Sequence, residues 1–152
     1  MNYGQDGRLI KMQLEELIGG LEKEEQLIIR DYMITGRRRI TIERVLKELS
    51  NLDYEELMKP QKIAKLLGYE AFDSYEEVGV YPKGYRILNK IPRMPGNIVE
   101  NLVKSFKSFQ HILAADTDAL DKVDGIGEIR AQTIKQSLKR MQEQYIFDNV
   151  LF

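Results

Sequence analysis

With 152 residues, 43% of them apolar, the chain can bury a modest core in one domain or in two small ones. It has no cysteine and a single histidine, His111, which excludes disulfides and thiolate metal sites and leaves little for a zinc site. Its apolar runs are too short to span a bilayer or to form a signal peptide, so a soluble, cytoplasmic protein is expected. The formal charge of −1 hides an asymmetry. Residues 1–82 carry 12 Lys+Arg against 16 Asp+Glu, a net of −4, whereas residues 83–152 carry 11 against 8, a net of +3. An anionic partner is therefore expected to meet the second half.

In chain order, Leu9, Met12, Leu17, Ile18 and Leu21 form a helical stripe that Gly19-Gly20 is expected to break or kink. Glu22-Lys23-Glu24-Glu25 then reads as the acidic first turn of a second helix bearing Leu27, Ile28, Ile29 and Tyr32. These carboxylates fit dipole compensation better than a metal site. Arg37-Arg38-Arg39 reads as a solvated loop or a subunit contact before a nucleic-acid patch. Thr41 is a candidate N-cap for a helix through Leu49, and Asp53-Tyr54-Glu55-Glu56 has capping-box spacing. Pro60 suits the first turn of a short helix bearing Ile63, Leu66 and Leu67, with Gly68 as its stop. No stretch alternates with strand periodicity for long, and this half reads as an all-α bundle.

Between Tyr69 and Lys83 the pattern fades, interrupted by Glu76, Glu77, Gly79 and Pro82. A boundary is expected there, with a helical linker or spine domain over 1–82 and a second domain over 83–152.

The second half repeats itself. A gapless shift of 32 residues superposes Leu88 on Leu120, Ile91 on Val123, Met94 on Ile126, Val99 on Ala131, Leu102 on Ile134 and Phe106 on Leu138. Each copy reads as short helix, tight turn and longer helix. The turns are Ile91-Pro92-Arg93-Met94-Pro95-Gly96 and Val123-Asp124-Gly125-Ile126-Gly127-Glu128. A reversal this tight demands backbone angles that glycine adopts at low steric cost, while Ile126 points inward and pins the turn. The first amides of the following helix have no internal partner and, with the helix dipole, make a seat for one phosphate. Arg130 and Lys135 stand within reach of neighbouring phosphates. In the first copy Arg93 and Pro95 replace Gly125 and Gly127; proline offers no N–H, Arg93 supplies charge instead, and Asn97 is a candidate cap. The candidate binding residues are thus Arg93, Met94, Gly96 and Asn97 in one hairpin and Gly125, Ile126, Gly127, Glu128, Arg130 and Lys135 in the other, with the second making the more backbone-dominated contact.

Two such hairpins resemble the tandem helix-hairpin-helix modules that bind DNA without sequence preference in repair and recombination proteins. Residues 86–141, RILNKIPRMPGNIVENLVKSFKSFQHILAADTDALDKVDGIGEIRAQTIKQSLKRM, resemble more closely the C-terminal region of the DNA integrity scanning family of diadenylate cyclases. Upstream, GRLIKMQLEEL, EKEEQLIIRDYM and LKELSNLDYEELMKPQKIAKLLGY are similar to the helical linker of that family. The resemblance implies an all-α chain, a linker bundle followed by the hairpin tandem, from a bacterial, nucleoid-associated protein that responds to DNA damage. It further implies an octamer that joins two ATP into cyclic di-AMP and lowers that output on branched DNA. The family's DGA and RHR motifs are absent here, so no catalysis is expected of this chain; ATP and divalent metal would belong to a separate cyclase domain. A monovalent cation at a hairpin is implied by resemblance alone.

Two other readings compete. In one, the hairpins are structural and the chain is an oligomerisation module, which the acidic first half and the apolar tail Tyr145, Ile146, Phe147, Val150, Leu151 and Phe152 would suit. In the other, the chain is a nuclease, for which no compact carboxylate pair or histidine set is present. His111, beside Ile112 and Leu113, fits a packing surface better than a ligand role.

Overall fold

The computed structural model describes residues 3–36, 39–69 and 81–150, the side chains of 3–6 and 147–150 excepted. Among these residues every regular element is a helix. The chain divides into two compact units, Met1–Gly79 and Val80–Phe152.

The first unit contains α1 (Tyr3–Tyr32), α2 (Ile42–Ser50), α3 (Tyr54–Leu57) and α4 (Pro60–Leu66). The expected break at Gly19-Gly20 does not occur: α1 is one helix of 30 residues, and Glu22–Glu25 lie in its middle, not in a first turn. A glycine costs about 1 kcal/mol in a helix relative to alanine, too little to stop a helix anchored further along. That anchor is the core of Ile29, Met33 and Val45, closed by Ile40, Ile42, Leu46, Leu49 and Leu67. Ile34 N–H donates to the Leu67 carbonyl at 2.8 Å, and the Tyr69 hydroxyl donates to the Tyr32 carbonyl at 2.6 Å. Burial of Tyr69 pushes its phenol above the ordinary value.

The helix ends follow the local chemistry. Thr41 Oγ1 accepts from Arg44 N–H at 3.3 Å. Asp53 and Glu56 complete a reciprocal capping box, in which Asp53 Oδ1 accepts from Glu56 N–H at 2.8 Å and Glu56 Oε2 from Asp53 N–H at 3.2 Å. Lys62 also donates to Glu56, and this hydrogen bond, with the one from Asp53, holds the Glu56 carboxyl below its ordinary value. Pro60 opens α4, and Gly68 follows its end at φ +97°. Of the basic run, only Arg39 is described: it is exposed and its carbonyl accepts from Arg44 Nη1, while Arg37 and Arg38 lie outside the described residues. So do Glu76, Glu77 and Gly79 of the expected boundary.

The second unit holds α5 (Tyr85–Leu88), α6 (Gly96–Ser105), α7 (Phe109–Ala114), α8 (Thr117–Asp121) and α9 (Gly127–Val150). The 32-residue repeat is visible in its burial. Leu88 and Leu120 are fully buried, as are Leu102 and Ile134; Ile91 and Val123 are buried, as are Val99 and Ala131. Phe106 is half-buried opposite a buried Leu138. The α5–α6 and α8–α9 pairs are the two hairpins, and α7 connects them. Ser108 caps α7 and Asp116 caps α8. His111 is exposed, its Nδ1 3.0 Å from Ser108 Oγ. The apolar tail continues α9 to Val150 with Tyr145 and Ile146 exposed; Leu151 and Phe152 lie outside the described residues.

Candidate functional site

The second turn is built by short-range hydrogen bonds: Val123 N–H donates to Leu120, and Ile126 N–H to Val123, both at 3.1 Å. Gly125 and Gly127 have φ of +82° and +67°, in the left-handed region where side chains are strained. Gly125 is fixed a second way, because a Cβ there would lie 2.7 Å from Ile98 Cδ1 on α6. Ile126 is buried and holds the turn down as its pattern required. Asn101 Nδ2, also on α6, donates to the Asp124 carbonyl at 3.0 Å, so the first hairpin braces the turn of the second.

The turn delivers the chain into α9 with the amides of Gly127, Glu128 and Ile129 finding no acceptor among the described residues. Gly127, Glu128 and Ile129 are all exposed. The first hairpin follows the same path with one residue fewer to offer. Arg93, aligned with Gly125, takes up φ +59°, the sole non-glycine with positive φ among the described residues. Pro95, aligned with Gly127, has φ −64° and is the residue that precedes α6; it has no N–H to give. Asn97 is therefore not the cap: it sits inside the first turn of α6, because Pro95 already turns the chain into the helix. Gly96 and Asn97 contribute exposed amides without an acceptor among the described residues.

An open groove of about 530 Å³ runs between the two turns, lined by Arg93 and Met94 on one side and Ile126, Ile129 and Arg130 on the other. Arg130 Nη1 donates to the Gly125 carbonyl at 2.8 Å, which holds the guanidinium against the second turn. Lys135 is placed otherwise than its spacing suggested: its amine donates to the Leu113 carbonyl at 2.9 Å, near the end of α7, and ties two helices together. A residue the pattern did not nominate is Ile129, 82% exposed on the groove wall. Its signal was an isoleucine off the buried stripe of Ile126, Ala131, Ile134 and Leu138, between two charged neighbours. No group of three or more His, Asp or Glu able to hold a metal occurs among the described residues.

Two hairpins related by a fixed shift, each with a longer second helix, define the second unit as a tandem helix-hairpin-helix domain, preceded by a helical linker. Residues 85–140 match the family described as SAM-like helix-hairpin-helix tandem, and residues 1–75 match the DisA bacterial checkpoint controller linker region. The chain is 42% identical over 150 residues to the DNA integrity scanning protein DisA of Streptomyces coelicolor. It is 44% identical over 146 residues to that of Acetivibrio thermocellus and 45% over 141 to that of Carboxydothermus hydrogenoformans. These alignments cover 97%, 96% and 93% of this chain but 40% of each relative, so the chain spans about two-fifths of their length. The chain belongs to the DisA family, of which it carries the linker and the hairpin tandem. The matched regions contain no cyclase domain. No described helix is long and apolar enough to cross a membrane.

Proposed function

We propose that the hairpin unit binds DNA without reading its sequence, each turn seating one backbone phosphate. The observation that carries this reading is the row of acceptor-free amides at Gly127, Glu128 and Ile129, with Arg130 beside them and Arg93 across the groove. Amides at a helix mouth suit a phosphate, and a charge-assisted hydrogen bond contributes about 1.5–3 kcal/mol before costs. The first hairpin gives two amides and the charge of Arg93; the second gives three and the charge of Arg130. Lys135, engaged at Leu113, is a structural tie in this scheme. A monovalent cation seated on hairpin carbonyls would share the second turn with Arg130, whose Nη1 donates to the Gly125 carbonyl.

The relatives' name, DNA integrity scanning protein, supports a role in scanning DNA integrity. On this reading the chain is the DNA-sensing part of a cyclic di-AMP synthase in the bacterial cytoplasm, at the nucleoid. Its partner is a cyclase domain that joins two ATP, and the whole protein assembles as an octamer. Two hairpins on one rigid unit favour branched DNA, where two backbones lie at a fixed angle.

Fluorescence anisotropy against linear duplex and four-way junction DNA tests the reading. Gly127→Pro imposes on the second hairpin the φ that Pro95 has in the first and removes one amide. It is expected to weaken duplex binding several-fold with helicity intact, and unchanged affinity would contradict the phosphate seat.

A further inference from the structure

Of the large apolar side chains among the described residues, Ile129 is the most exposed, at 82%. At 100° per residue it lies roughly 140–180° around α9 from the buried Ala131, Ile134 and Leu138, so packing within the unit does not require it. The 32-residue repeat makes the same point, because the equivalent place on α6 is held by exposed, polar Asn97. Nor does Ile129 stand alone. Pro92 and Met94 of the first hairpin line the same groove, together with the buried Ile91 and Ile126. The groove between the two turns is therefore mostly apolar, with Arg93 on one wall and Arg130 on the other. Little in it can read a base edge. Arg130 Nη1 is committed to the Gly125 carbonyl, and the Thr133 hydroxyl donates to the Ile129 carbonyl at 3.1 Å.

On DNA whose phosphates occupy the two turns, this groove meets deoxyribose and base, the apolar part of the strand. We propose, resting on the reading that the turns seat phosphates, that Ile129 is a wedge. Its side chain enters the base stack where a base is missing or unpaired, while Met94 and Pro92 pack against the adjoining sugar. Isoleucine, methionine and proline are among the side chains that part stacked bases in this way. Opening an intact stack is costly, and the cost is least where a base is already damaged or unpaired. A stacking defect also lets Ile129 bury the surface that it now exposes to water. The wedge thus turns sequence-blind binding into selection for an interrupted stack, with no hydrogen bond to the defect required.

Fluorescence anisotropy on the 152-residue chain compares a short intact duplex with the same duplex carrying one central tetrahydrofuran abasic residue. The abasic duplex is expected to bind about ten-fold tighter. Ile129→Ser should bring the ratio of the two affinities to about one, and Ile129→Leu should preserve the preference. Both variants alter an exposed side chain and keep the backbone amide, so the turn and its seat remain. 2-Aminopurine next to the abasic residue reports the insertion, and its emission is expected to change with wild type but not with Ile129→Ser. Gly127→Pro, by contrast, should weaken both duplexes alike. Equal affinity of wild type for the two duplexes, or a preference that survives Ile129→Ser, overturns the wedge and leaves the phosphate seats standing. Failure to bind either duplex overturns the seats and the wedge with them.

Discussion

Arg93 holds a left-handed backbone where its repeat partner is glycine, at a cost of about 1–2 kcal/mol for a side-chain-bearing residue. Strain of this kind persists where it serves a site, and here it keeps a guanidinium on the groove wall. Arg93→Gly is therefore expected to preserve or raise the melting temperature while lowering DNA affinity several-fold; parallel melts and anisotropy titrations check both halves. Gly125→Ala tests the opposite case. It adds strain at φ +82° and crowds Ile98, and is expected to destabilise the hairpin unit by about 1–2 kcal/mol in chemical denaturation. Glu128 brings a carboxylate to the mouth of α9, where it complements the dipole but repels a phosphate. Glu128→Gln should tighten binding about two- to five-fold at low salt, an advantage that fades as salt screens the charge. The roles of the glycines and of Ile126 were legible because they follow from the turn itself. The destination of Lys135 was not, since Leu113 lies 22 residues away and only the packed fold brings them together.

At the scale of elements, what the sequence revealed were features with short-range causes. The caps at Thr41 and Asp53 reappear as hydrogen bonds, Pro60 opens α4, and the 32-residue repeat reappears as paired burial. The continuity of α1 through Gly19-Gly20 escaped because a propensity cost of about 1 kcal/mol per glycine decides nothing until tertiary anchoring is known. The capping box of α3 makes a pH prediction. The Glu56 carboxyl lies below its ordinary 4.5 in the folded chain. Its stabilising effect is thus present above the unfolded value and lost as pH falls through the folded one. The protection of α3 amides relative to their intrinsic exchange should fall over that acidic interval, and Glu56→Gln should remove the dependence.

For the whole molecule, the charge split places a net +3 on residues 83–152 and −4 on residues 1–82, so long-range attraction for DNA belongs to the hairpin half. Binding through phosphates should be equal for unrelated sequences, with a log–log salt slope of about −0.9 per phosphate neutralised. The amide seat is observed most directly in 1H–15N spectra of the chain titrated with two short duplexes of unrelated sequence. The Gly127, Glu128 and Ile129 resonances are expected to move most, with smaller shifts at Gly96 and Asn97, alike for both duplexes and reversed by salt. Binding that leaves the Gly127–Ile129 resonances in place while others shift would contradict it.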